Sequence, residues 1–125
     1  MKVTKIFTFD SAHNLTKYNG KCENLHGHTY KLEVTVEGEL DDEGMVIDFE
    51  ILKDIVNKVI IDKLDHHYLN EVFGFNTTCE NIITWMWKEL KPELKSERYE
   101  LYKIKLWETP TSFAEITSND VYHKD

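Results

Sequence analysis

Seven consecutive residues, Cys22-Glu23-Asn24-Leu25-His26-Gly27-His28, gather one thiol and two imidazoles. His26 and His28 are two apart, so on a β-strand they point to the same side, where both can bind one metal ion. Gly27 between them allows a close backbone approach or a bend. A third imidazole, His13, ends the run Phe7, Phe9, Ser11, His13, which shares one strand face. Tyr30, Leu32, Val34 and Val36 share parity with His26 and His28. Without a bulge in either strand, all three imidazoles lie on apolar faces. A lone HxH pair is a weak motif, and its bland explanation is an ordinary core or surface pair. The in-phase His13 and the nearby cysteine shift the reading to a metal site. Three histidines without an obvious fourth ligand indicate zinc with an open position, the catalytic arrangement.

Cys22 lies four residues before His26, in the loop that feeds the strand, where its sulfur can face the metal without ligating it. As a thiolate it would serve as a base on carbon-bound protons. The other reading, a buried structural thiol, fits poorly beside Lys21 and Glu23. Asp65 adjoins His66, and a carboxylate beside an imidazole can fix its tautomer and make a proton shuttle. Sequence neighbours rarely bond each other directly, so the residues alone favour Asp65 as a turn cap and His66 as exposed. Glu108 ends the face Tyr102, Ile104, Leu106, Glu108. A carboxylate buried that way needs a partner; the alternative is a strand-end glutamate in solvent. Thr77 and Glu80 match a capping box. Cys79, in a first helical turn, could have a lowered pKa but reads as structural.

These residues need elements to position them. Residues 2–12 and 26–39 read as strands, the second with Lys31, Glu33, Thr35 and Glu37 facing away from the apolar side. Asp41-Asp42-Glu43-Gly44 is a turn, and residues 45–47 are expected to extend the sheet briefly. Asp48 is a candidate N-cap. Phe49, Leu52, Val56, Val59 and Ile60 form one stripe of a helix running to about residue 63. Residues 65–70 are a turn or short helical piece, and Gly74 breaks the chain. A second helix opens at residues 77–80 and buries Ile82, Ile83, Met86, Trp87 and Leu90. Residues 99–108 and 112–116 are strands, and residues 118–125 are expected to fray. The order ββ-αα-ββ predicts a single α+β domain over residues 1–125, an antiparallel sheet with two helices on one face.

The chain has 125 residues, 41% hydrophobic and 30% charged, enough for one core. A net charge of −8 argues against general nucleic-acid binding. It also means that a phosphorylated substrate must meet lysines gathered locally. No secretory segment follows Met1 and no apolar run reaches membrane length. Two cysteines with no need to pair point to a reducing cytoplasm.

Four motifs in order, Phe9-Asp10-Ser11-Ala12-His13, Cys22-x-x-x-His26-Gly27-His28, Leu64-Asp65-His66-His67-Tyr68-Leu69-Asn70 and Glu108-Thr109-Pro110, resemble the 6-pyruvoyltetrahydropterin synthase family over residues 5–115. The Cys22-to-His26 spacing is similar to its carboxytetrahydropterin branch; animal pyruvoyl-type enzymes carry a longer insert. The resemblance implies a tunnelling fold (T-fold), its barrel closed by oligomerisation, commonly a hexamer built as a dimer of trimers. It implies Zn²⁺ held by His13, His26 and His28, a catalytic Cys22, and a relay of Asp65 and His66. Glu108 would bind the pterin N3–H and 2-amino group, and Thr78, Cys79 and Glu80 would line the pocket. Lys21, and less so Lys17, are candidates for phosphate contacts, with a solvated lysine an equal alternative. The implied reaction converts 7,8-dihydroneopterin triphosphate to 6-carboxy-5,6,7,8-tetrahydropterin, acetaldehyde and triphosphate, within queuosine biosynthesis. The alternatives are a pyruvoyl-type synthase, which expels triphosphate without carbon–carbon cleavage, and a non-catalytic zinc or pterin-binding module. The chain departs from the family pattern in lacking a proline within residues 76–79 and in its longer tail.

Overall fold

The computed structural model describes residues 1–16 and 24–121. The expectations for Cys22, Lys17 and Lys21 lie outside the described residues.

Two long strands, β1 (Lys2–His13) and β2 (His26–Gly38), pair antiparallel without a register shift, from Lys2 opposite Glu37 to His13 opposite His26. The continuous register preserves alternation along both strands. Phe7, Phe9, Ser11 and His13 are buried on β1, and Tyr30, Leu32, Val34 and Val36 on β2. β4 (Tyr99–Thr109) pairs with β2, and β5 (Ser112–Thr117) with β4, both antiparallel.

The α1 helix (Phe49–Val56) starts at Asp48, whose carboxylate accepts from the Glu50 N–H, a cap that contributes about 1 kcal/mol. A π turn (Asn57–Ile61) carries it into α2 (Asp62–Leu64). The buried residues Leu52, Val56, Ile60 and Leu64 are four apart. In a regular α-helix that spacing drifts by about 40° per step. The wider π turn takes up part of this drift and keeps the four side chains on the sheet. The expected stripe loses its first member, because Phe49 is 51% exposed. Helix α4 (Cys79–Leu90) buries Ile82, Ile83, Met86, Trp87 and Leu90, each contributing about 1.5–3 kcal/mol. Together these elements cover the apolar face of one sheet.

The α+β class holds, with several corrections. The sheet is mixed, in the order β3-β1-β2-β4-β5, because β3 (His67–Tyr68) pairs parallel to β1 at Ser11 and Ala12. Two residues give too little alternation for sequence to reveal that strand. Residues 65–70, expected as a turn or short helical piece, contain β3 and the start of a short helix, α3 (Leu69–Val72). Residues 45–47 do not extend the sheet. The cap of α4 is Thr78, which accepts from the Asn81 N–H, one residue later than the expected Thr77. At residues 118–121, where fraying was expected, a short α5 (Ser118–Val121) forms, and Asp120 accepts from the Thr117 N–H. A bulge opposite Thr35 and Val36 takes Tyr102 out of phase, so Leu101 is buried in its place. The phase of Ile104 and Leu106 survives because it lies beyond that bulge, and a second shift, against β5, falls at Glu108. The expected turn at Gly44 forms, with φ +84°. Among the described residues, no helix is long and apolar enough to cross a membrane.

Candidate metal centre

The flat β1–β2 register puts His13 directly across from His26, with His28 two residues along the same face. Their rings converge at centroid distances of 4.7–5.0 Å. One ring nitrogen from each lies within 4.8 Å of the others. His26 Nε2 and His28 Nε2 are 3.0 Å apart. This approaches the edge of a tetrahedron with Zn–N bonds of about 2.0–2.1 Å.

The ring orientations suit ligation. His13 Nδ1 lies 2.8 Å from the Thr77 carbonyl oxygen and His26 Nδ1 lies 2.9 Å from the Asn24 carbonyl oxygen. A carbonyl only accepts, so each Nδ1 carries a proton, which leaves Nε2 as the nitrogen that each ring can offer to a metal. His13 Nε2 is buried and has no hydrogen-bond partner. A buried lone pair beside two further imidazole nitrogens is a donor set that fits Zn²⁺.

The chain that follows His13 is tied down by its neighbours. The Asn14 N–H donates to Asn70 Oδ1 at 3.0 Å, and Asn70 Nδ2 donates to the Asn14 carbonyl at 2.8 Å. The Tyr68 hydroxyl donates to Asn14 Oδ1. Thr77, Asn70 and Asn14 were not anticipated as supports of the site. Their partners lie more than 50 residues away in sequence, and no spacing rule links them.

Glu108 Oε2 lies 3.9 Å from His13 Nε2, with the glutamate side chain 28% exposed. A small cleft of about 170 Å³ is lined by Cys79, Glu80, Glu108, Ser112, Phe113 and Ala114. It gathers three of the expected pocket residues. Thr78 serves as the α4 cap. The Cys79 thiol donates to the Leu106 carbonyl, and burial, then the Glu108 charge, pushes its pKa up to about 12. The lowered pKa considered for a first-turn cysteine is therefore reversed: desolvation outweighs the helix terminus. Burial also raises the Tyr30 phenol, followed by the charges of Glu108 and Cys79.

Asp65 and His66 do touch. His66 Nδ1 lies 3.0 Å from Asp65 Oδ1. His66 has φ +60°, the left-handed conformation, which is rare for a residue with a side chain. Its N–H donates to the Asp10 carbonyl at 2.6 Å. Asp65 Oδ1 accepts from the Asp10 N–H at 3.0 Å, and this bond, with help from His66, holds the Asp65 pKa below its ordinary value. Asp65 therefore caps no turn at Tyr68. Asp10, Asp65 and His66 form a second group, separate from the three histidines. Asp10 alternates away from His13 on β1 and accepts from Thr29, which alternates away from His28 on β2. The pair thus sits on the polar side of the sheet. His28 and His66 still border one open groove of about 550 Å³. Gly27 borders it too. A Cβ there would meet only the Ser11 carbonyl, at 3.6 Å, so the expected bend or close approach does not occur among the described residues.

A mixed sheet with three histidines gathered at one end, backed by helices on its apolar face, defines an α+β protein with a candidate metal centre. The family model for 6-pyruvoyl tetrahydropterin synthase matches residues 2–119. The chain belongs to that family and, like its curated relatives, is a lyase-type enzyme. It is 42% identical to 6-carboxy-5,6,7,8-tetrahydropterin synthase of Haemophilus influenzae, over 91% of this chain and 96% of that one. It is 37% identical to 6-pyruvoyl tetrahydrobiopterin synthase of Dictyostelium discoideum, over 89% and 91%. Among solved structures, 6-pyruvoyl tetrahydropterin synthase of Caenorhabditis elegans superposes with a TM-score of 0.79 at 28% identity, covering 94% of this chain and 95% of that one.

Proposed function

We propose that this chain is a zinc-dependent carbon–carbon lyase of the 6-carboxytetrahydropterin synthase type. It would convert 7,8-dihydroneopterin triphosphate to 6-carboxy-5,6,7,8-tetrahydropterin, acetaldehyde and triphosphate, in the cytoplasm and on the queuosine route. The supporting observation is the convergence of three imidazole nitrogens beside Glu108, in a chain 42% identical to a relative with that name.

His13, His26 and His28 would hold the Zn²⁺, which when bound supplies Lewis-acid polarisation of the substrate's side-chain oxygens. Glu108 would grip the N3–H and 2-amino group of the ring, with Cys79, Glu80 and Thr78 around it. Cys22 would take the carbon-bound proton, and the Asp65–His66 pair would supply or remove protons on the other side. Asp65 suits this role because its carboxylate stays ionised and aims the His66 imidazole. Lys21 is proposed for the phosphate arm.

Glu108 borders two openings, the cleft of about 170 Å³ and a groove of about 470 Å³ shared with His28, Trp107 and Pro110. The Asp65–His66 pair also stands on the opposite side of the sheet from the histidines. That separation favours a homo-oligomer, a dimer of trimers, in which a neighbouring copy completes the site and closes the barrel.

The test is product identity by mass after incubating zinc-loaded protein with 7,8-dihydroneopterin triphosphate. Carboxytetrahydropterin with acetaldehyde supports the proposal. A pyruvoyl product would favour the reading suggested by the Dictyostelium relative. No turnover with pterin bound would reduce the chain to a binding module.

A further inference from the structure

Tyr30 is fully buried, and its hydroxyl has no hydrogen-bond partner. A buried unpaired hydroxyl destabilises a fold. A phenylalanine would stack on Phe9 equally well, since those rings lie 5.0 Å apart and 7° from parallel. The fold therefore explains the ring but not the oxygen.

The surroundings of Tyr30 supply a reason. Its ring lies 5.6 Å from that of His28 and 6.3 Å from that of His13. On the β4 side, Leu32 is opposite Leu106 and Lys31 opposite Trp107. Glu108 follows Trp107 directly, and its charge acts on the Tyr30 phenol. Glu108 Oε2 is in turn 3.9 Å from His13 Nε2. The phenol thus stands behind the metal ligands and beside the carboxylate that faces the cleft. A carboxylate has about four lone-pair sites. A bidentate grip on a pterin edge uses two of them and leaves room for a donor from behind.

We infer that Tyr30 is a positioning residue for Glu108: unpaired in the ligand-free chain, its O–H donates to the Glu108 carboxylate once that carboxylate grips a substrate ring, and holds it at the binding angle. This rests on the pterin reading of the site. Tyr30 is fully enclosed and does not touch substrate itself.

The test is Tyr30→Phe in the full-length zinc-loaded protein, with four readouts. These are binding of neopterin by its fluorescence, the kcat and KM for 7,8-dihydroneopterin triphosphate, zinc content, and the melting temperature without ligand. The inference expects neopterin binding roughly ten- to a hundredfold weaker, because one hydrogen bond to a charged group is lost. KM should rise by a similar factor while kcat and zinc content stay near wild type. The melting temperature should hold or rise, because an unpaired buried hydroxyl has been removed. Unchanged neopterin binding in the variant overturns the inference and leaves the pterin reading intact. A fall in melting temperature overturns it too, since the hydroxyl would then serve the fold. Absence of neopterin binding in the wild type removes the pterin reading and this inference with it.

Discussion

His13 Nδ1 lies 2.8 Å from the carbonyl oxygen of Thr77, the residue just before the N-cap of α4. One hydrogen bond therefore joins the end of β1 to the start of the helix that borders the Glu108 cleft. It also fixes which nitrogen of His13 is offered to a metal. If the three imidazoles are ligands, zinc stabilises the native state and not the unfolded chain. At a free zinc concentration about 100 times the dissociation constant, stability should rise by about 2.7 kcal/mol. Calorimetry should show that shift in the wild type and not in His28→Ala or His13→Ala.

The Asp65–His66 pair separates chemistry from stability. His66 sits at φ +60°, a conformation that glycine adopts freely. His66→Gly should melt at the same temperature or higher, by up to about 1 kcal/mol of stability. Its turnover should fall by roughly 10²–10⁴, the usual contribution of a general acid or base. Retained turnover would remove His66 from the mechanism.

Asp41 gives a pH signature. Its carboxylate accepts from the N–H groups of Met45 and Glu43, which hold its pKa below the ordinary 3.8. A group depressed in the folded state stabilises above its unfolded pKa and loses that contribution as pH falls through its folded pKa. Asp41→Asn should therefore melt lower than wild type at neutral pH. The two melting temperatures should converge below pH 3.8.

Cys79 should be slow to react. With its pKa pushed up to about 12, roughly one part in 10⁴ is thiolate at pH 8. In a Cys22→Ser background, iodoacetamide should label native protein far more slowly than urea-unfolded protein. Equal rates would show that the thiol is not desolvated.

The histidine trio was legible because it depends on parity, and parity survives wherever strands pair without a bulge, as β1 and β2 do. Tyr102 was misread for the converse reason: the bulge opposite Thr35 and Val36 takes one residue out of alternation. The direct Asp65–His66 contact was hidden because it requires a positive φ at a non-glycine residue, which no residue type announces. The supports of His13 were hidden as well. Thr77 contributes a backbone carbonyl, and any residue carries one. Tyr30 was visible only as one more apolar position in phase with the histidines; its unpaired hydroxyl needed coordinates.

The most direct test follows acetaldehyde formation from 7,8-dihydroneopterin triphosphate while metal-stripped protein is titrated with zinc. The account predicts none before zinc is added, then a rate that climbs with occupancy and levels off at one zinc per chain. Full acetaldehyde formation by the stripped protein, or none at any zinc occupancy, would contradict it.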